Sequence, residues 1–230
     1  MVSDSTWKLR VSSLNKKVQN GFLFFSVLIL LLLSFYQPFL RGAASYLAPS
    51  EDGTAEVAIL EGTQILRKKA LATGLKFLSQ GKVLTLIVVL HQPPPGEELV
   101  GLPSEYPRMV ENELKHFGLR RNQFLVIVAP VFHPITLSEA KFVLAQLAPD
   151  KVKRAFLISE GFHTRRSLAV YQSEGSKLGI RILAHPYYSS YEKENWWLQT
   201  EGVRAFVTEY LKLGYYVLRG YIPLKMIWSP

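Results

Sequence analysis

The chain has 230 residues, 48% hydrophobic and 20% charged, which is enough apolar mass for one packed domain and an anchor but too little for two ordinary domains. It contains no cysteine, which excludes disulfides, thiolate catalysis and cysteine-ligated metals. The net charge of +9 is partly local: from residue 42 onward 22 basic and 17 acidic residues leave an excess of only five, spread along the chain with no binding motif, so nucleic acid is not an expected partner.

The first 17 residues carry Lys8, Arg10, Lys16 and Lys17 against a single acid, Asp4, and read as a basic cytoplasmic segment. Residues 18–40 contain no charge, and their centre, Phe22 to Leu33, is nearly pure hydrocarbon. A helix of about 20 such residues crosses a ~30 Å bilayer core. Phe35 and Tyr36 suit a membrane interface, and Pro38 is expected to end the helix. The basic flank places the N-terminus in the cytoplasm and the rest of the chain on the far side of the membrane. A cleaved signal peptide competes with this reading, because Gly42-Ala-Ala-Ser45 offers small residues to a peptidase; the run exceeds the roughly 7–15 residues of a signal core, which favours retention. A buried core helix is the third reading, and the basic flanks have no purpose there.

Residues 41–54 end in a Pro, Gly, Ser and acid mixture without periodicity and read as a linker, so the exported domain is expected over 55–230. Within it, short apolar runs at Val57–Leu60, Val83–Leu90, Phe124–Val128, Ala155–Ser159 and Ile180–Ala184 predict strands. Segments with helical spacing, Gln64–Gln80, Glu105–Phe117, Ser138–Leu147 and Arg165–Leu178, lie between or beside them. Gly81, Gly118 and Gly179 each follow a helical segment, where a left-handed residue ends a helix most cheaply. Thr136-Leu-Ser-Glu139 has capping-box spacing. The predicted fold is α/β and Rossmann-like: a mostly parallel sheet of about five strands with helices on both faces, after one N-terminal transmembrane helix. Trp196 to Leu218 predicts one long helix rich in aromatic and basic residues, either packed on the sheet or resting at the membrane interface.

In a parallel sheet, ligands gather beyond the carboxyl ends of the strands. Glu61 and Gly62, His91 and Gln92, His133 and Thr136, Ser159, Glu160 and His163, and His185, Tyr187 and Tyr188 are expected there. Gly161-Phe-His-Thr-Arg-Arg166 stands at a strand-to-helix junction, where free N–H groups, the helix dipole and the Arg165 and Arg166 forks suit an anion and His163 can transfer a proton. The competing reading solvates one arginine and pairs the other with a helix carboxylate. His91, His133 and His163 lie far apart without local ligand spacing, so no metal is expected. No Walker loop, dinucleotide fingerprint or nucleophile elbow is present, and no cofactor is indicated.

The run Arg154-Ala-Phe-Leu-Ile-Ser-Glu-Gly-Phe-His-Thr-Arg-Arg-Ser167 resembles the strand and Ser-x-x-x-His-x-x-Arg segment of the ElyC/SanA/YdcF family of bacterial envelope proteins. Ala55 to Gly62 is similar to that family's first strand and glycine turn, with Arg67 in the next helix; Ser104-Glu105 and Thr136-Leu-Ser-Glu-Ala140 resemble its helix starts. Asn195-Trp-Trp, Glu201-Gly-x-Arg204 and Glu209-Tyr-Leu-Lys212 resemble the tail of anchored members. The likeness covers residues 55–220. It departs at Glu61-Gly-Thr-Gln64, where the family has more glycines, and at His91-Gln-Pro-Pro-Pro95, whose prolines supply no N–H donors to a phosphate. The resemblance implies a Rossmann-like fold and a role in envelope or cell-wall polysaccharide maintenance. The expected catalytic residues are His163, Glu105 and Glu139, and the expected ligand contacts are Glu61, Gly62, Arg67, Thr136, Ser159, Arg165 and Arg166. The expected partners are the lipid bilayer and an anionic, phosphate-bearing envelope ligand such as a lipid-linked sugar. The alternative is a non-enzymatic scaffold for envelope assembly with a degenerate pocket.

Overall fold

The computed structural model describes residues 4–63, 65–92, 105–130, 132–148 and 152–228, with only the backbone of 4–17, 19, 32 and 33. Pro93, Pro94, Pro95 and Ser104 lie outside the described residues. The chain divides into two compact units, residues 1–43 and 44–230.

Helix α1 runs over Asp4–Leu47. Its Asn20–Leu47 part, 28 residues, is long and apolar enough to cross a membrane. Two expectations change here: Pro38 lies inside the helix, and the helix continues through the expected start of the linker to Leu47. A proline costs an interior helix one backbone hydrogen bond, and Gly42-Ala-Ala-Ser-Tyr-Leu47 is too short of turn-forming side chains to stop it. The last turn belongs to the second unit, where Ala44, Leu47 and Ala48 are buried.

The second unit is built on five parallel strands, β1 (Val57–Thr63), β2 (Thr85–His91), β3 (Phe124–Ala129), β4 (Arg154–Glu160) and β5 (Arg181–Tyr187). Their order across the sheet is β3-β2-β1-β4-β5. Among the described residues one α-helix lies between each strand and the next: α2 (Lys68–Ser79), α3 (Tyr106–His116), α4 (Ile135–Leu147) and α5 (Thr164–Lys177). Consecutive residues of the central strands are all buried, so both sheet faces are covered. Ala58, Leu60, Leu86, Val88, Phe156 and Ile158 form one core with Leu71 and Phe77 of α2 and Leu114 of α3. Helices α4 and α5 pack on each other and on β3, β4 and β5. Gly81, Gly118 and Gly179 end α2, α3 and α5 at φ 66°, 83° and 72°, the region where a Cβ is penalised.

The tail is not one helix. A 3₁₀ segment, Lys193–Leu198, gives way at the extended Gln199 to α6 (Thr200–Leu218). The chain doubles back so tightly that a Cβ on Gly202 would lie 2.4 Å from the Trp196 carbonyl oxygen.

Candidate functional site at the sheet's switch point

Strand order reverses between β1 and β4, since the chain steps outward from β1 to β3 and then returns to add β4 on the other side. Crevices at such points lie between diverging loops and are where open α/β sheets receive ligands. Here β1 ends in Glu61-Gly62-Thr63, and β4 runs into the 3₁₀ turn Gly161–His163 and α5. Glu61 and His163 meet across the gap, with His163 Nε2 2.9 Å from Glu61 Oε1.

Around that pair a charged network closes. The Ser167 hydroxyl, one turn along α5, donates to Glu61 Oε1 at 2.5 Å and lies 3.0 Å from His163 Nε2. On the other side of the ring, His163 Nδ1 is 3.2 Å from Glu209 Oε2 of α6. Arg166 donates through Nε to Glu209 Oε2 at 2.8 Å, through Nη2 to Glu209 Oε1 at 3.1 Å, and through Nη1 to the Thr136 hydroxyl at 2.9 Å. Its guanidinium also lies over the Tyr216 ring. Lys212 reaches Glu209 Oε1 at 3.2 Å.

These contacts decide protonation. Burial opposes the charged form of His163, but Glu61, followed by Glu209, outweighs it and raises the ring to about 9. Glu61 is buried, which favours its neutral acid, yet His163 and the Ser159 and Ser167 hydroxyls hold its pKa below the ordinary carboxylate value. Glu209 is likewise desolvated and still lowered, by His163 and then Arg166. At neutral pH the ring is therefore an imidazolium between two carboxylates. Arg166 Nη2 lies 2.7 Å from Nδ1, a contact between two donors in that state; it becomes a hydrogen bond only when the neutral ring accepts there.

A second imidazole–carboxylate pair stands one residue away. His91, at the end of β2, contacts Glu139 Oε2 of α4 through Nε2. The other oxygen of Glu139 accepts from the Gly62 amide at 3.1 Å and from the Tyr171 hydroxyl at 2.6 Å. Gly62 is required by this packing, because a Cβ would sit 2.4 Å from His91 Nε2 and 2.7 Å from Glu139 Oε2. The carboxylates form the floor and the imidazoles the rim: side-chain exposure is 7% for Glu61 and 2% for Glu139, against 25% for His163 and 15% for His91. Glu61 Oε2 and Ser159 Oγ are buried without a partner at hydrogen-bond geometry, although the hydroxyl is close enough to favour the ionised acid.

An aromatic cluster fixes the turn that carries His163. Phe162 is fully buried, stacks on Tyr191 at 5.0 Å between centroids, and meets Trp196 and Phe206 edge-on at 5.5 Å. The Phe162 amide donates to the Tyr191 hydroxyl at 2.8 Å, and Gly161 adopts φ 41° with no room for a Cβ beside that hydroxyl. The tail thus serves the site twice, by holding its turn and by supplying Glu209.

Of the residues expected from sequence, Glu61, Gly62, Thr136, Glu139, Ser159, His163 and Arg166 come together here. Arg165 does not turn toward the pair; its Nε donates to the Tyr46 carbonyl at 2.7 Å and its guanidinium covers the Tyr46 ring. Glu105 is exposed, pairs with Arg108 at 3.8 Å and makes no hydrogen bond to the cluster. Arg67 is exposed at the start of α2, near enough to Tyr187 to oppose the rise that burial causes in its pKa. The capping box expected of Thr136 and Glu139 is not formed: α4 begins earlier, with Pro134 as N-cap and no side-chain cap, because both side chains are drawn into the site. His185 sits within β5 rather than beyond it, edge-on to Phe77 and 3.2 Å from Ser50 Oγ. His133 is exposed. Among the described residues no cluster of three or more His, Asp or Glu suited to a metal is found.

Three contributors, Ser167, Tyr171 and Glu209, were not singled out as site residues from the sequence. His163, Ser167 and Tyr171 repeat every four residues on one side of α5, a polar stripe readable from spacing alone. Glu209 occupies the buried face of α6 between Gly202 and Leu213, where an acid signals a partner. His91 was placed at a strand exit, but nothing local pointed to Glu139. A concavity of about 310 Å³ lined by Glu51, Leu168, Gln172 and Arg181 lies elsewhere, against α5 and the β5 edge. No protein-family model matches the chain, and no curated protein matches its sequence.

Proposed function

We propose that this is a membrane-anchored protein of the bacterial cell envelope, with its α/β unit outside the cytoplasmic membrane, and that the switch-point crevice binds an anionic, phosphate-bearing ligand such as a lipid-linked sugar intermediate. The observation that carries the reading is the pair of imidazoles at the rim of the crevice, each backed by a buried carboxylate. Such a carboxylate orients its imidazole, so the second ring nitrogen of His91 can meet a phosphoryl oxygen beside the Glu61-Gly62 peptide, while His163, held on both nitrogens, supplies fixed positive charge next to it. Arg166 is a positioning residue here: it fixes Glu209 and Thr136 instead of reaching the ligand. The likeness of residues 154–167 to the ElyC/SanA/YdcF segment and the basic residues ahead of the apolar helix support the envelope setting.

The test uses the full chain in lipid nanodiscs with a fluorescent polyprenyl phosphate as probe and inorganic phosphate as competitor. His163→Gln and His91→Gln are each expected to weaken probe binding at least tenfold while the protein stays folded by circular dichroism. Unchanged binding in both folded variants would sink the reading. A non-enzymatic scaffold is the second reading, and it has one observation in its favour: the described donors of Arg166 are spent inside the fold. On that reading the two substitutions leave the envelope phenotype of a deletion strain fully complemented.

A further inference from the structure

Helix α6 has two unlike sides. Gly202, Glu209, Leu213 and Tyr216 face inward. Outward, Val203, Val207, Leu211 and Leu218 recur at four- and seven-residue steps, so they form one stripe, and they are 40%, 50%, 71% and 88% exposed. Single exposed apolar residues are ordinary, whereas a contiguous helical stripe marks a surface that something covers.

What covers it is indicated by three features. Tyr46, at the carboxyl end of the apolar Asn20–Leu47 stretch, packs 6.3 Å from the ring of Tyr210 and 6.3 Å from that of Trp228. Helix α6 and Trp228 therefore pack beside the residue at which the chain enters the globular unit. Beyond the first turn, the exposed charges of α6 and its C-cap, Arg204, Lys212 and Arg219, are basic; Lys212 reaches Glu209, which leaves Arg204 and Arg219 to suit anionic headgroups. Trp228, 76% exposed, and Tyr210 and Tyr215, about half exposed, are the side chains that favour a bilayer interface.

We infer that the outer face of α6, with Trp228, lies on the surface of the bilayer that the N-terminal helix spans, as an amphipathic interfacial helix bound to anionic lipid. Apolar burial at the acyl boundary and attraction of the basic flank add, so binding needs both. This surface is separate from the His163 crevice, so the ligand reading and this one can fail independently, while both rest on the N-terminal helix as a membrane anchor.

The absence of cysteine makes the test direct. Leu211→Cys and Leu218→Cys report from the stripe, and Met109→Cys and Leu84→Cys, exposed on α3 and before β2, report from elsewhere. Each full-length variant carries an environment-sensitive fluorophore and is reconstituted in nanodiscs of phosphatidylcholine with phosphatidylglycerol. Quenching by lipids spin-labelled near the headgroup is expected to be several-fold stronger at 211 and 218 than at 109 and 84, and to weaken when phosphatidylglycerol is omitted. Equal quenching at all four positions overturns the inference. So does shielding at 211 and 218 that grows with protein concentration, which assigns the stripe to a second copy, or shielding indifferent to lipid composition, which assigns it to contacts within the protein.

Discussion

The two imidazole–carboxylate pairs of the crevice have the same chemistry and different foundations. His163 is held on both ring nitrogens, by Glu61 from β1 and Glu209 from α6, with Arg166 bracing the second acid. His91 is held on one nitrogen by Glu139, whose other oxygen already has Gly62 and Tyr171. In the first pair the histidine's charge is what makes two buried acids tolerable. In the second only one oxygen of the acid, Oε2, depends on the histidine, because Gly62 and Tyr171 already satisfy Oε1. A charge that compensates two buried partners is part of the fold, whereas a ring that meets its acid at one oxygen can be exchanged at smaller cost.

That difference can be broken from either side. Glu209→Ala strands Arg166 and one nitrogen of His163 in a site of low exposure, and is expected to cost about 3–5 kcal/mol in urea unfolding of the detergent-solubilised chain, followed by tryptophan fluorescence. Next in size is a pH effect. The folded ring keeps its proton to about pH 9, although the free side chain loses it near 6.5, so the stabilisation is complete below 6.5 and disappears as pH rises through 9. A loss on the order of 2 kcal/mol between those limits is expected in the native chain and not in His163→Gln; equal slopes in the two would refute the assignment. Tyr171→Phe removes one of three donors to Glu139 and should cost about 1–2 kcal/mol. His91→Ala removes the donor to Glu139 Oε2 but leaves Oε1 bonded to Gly62 and Tyr171 and opens the rim to water where the ring stood, so its expected cost is smallest, about 1 kcal/mol. If His91→Ala proved as costly as Glu209→Ala, the contrast between the pairs would be wrong.

All five strands were legible because each is a short apolar run bounded by turn residues, and β2, buried on both faces, is nearly continuous in Leu, Ile and Val. Glycine positions marked three helix ends for the same local reason. Tertiary demands decided what local pattern misread. Thr136 and Glu139 have capping spacing, yet Arg166 and Tyr171 outcompete the backbone for them. Pro38 reads as a stop, yet the helix continues around it. The break at Gln199 follows from Trp196 folding back onto Gly202, a contact with no periodic signature. Within the site, His163 and Arg166 were visible as a cluster in sequence. Their acid was not, because Glu209 lies 46 residues beyond His163 and only docking of α6 brings it there.

That separation gives the protein a temporal order. A ribosome adds about 5–20 residues per second, so Glu209 is synthesised roughly two to nine seconds after His163. Until then Arg166 and His163 have no second acid, and Phe162 lacks the Trp196 and Phe206 rings that cover it. A chain that stops short of α6 has every strand of the sheet but an uncompensated site and a bare aromatic turn, which is the kind of surface that proteases and chaperones read as unfinished.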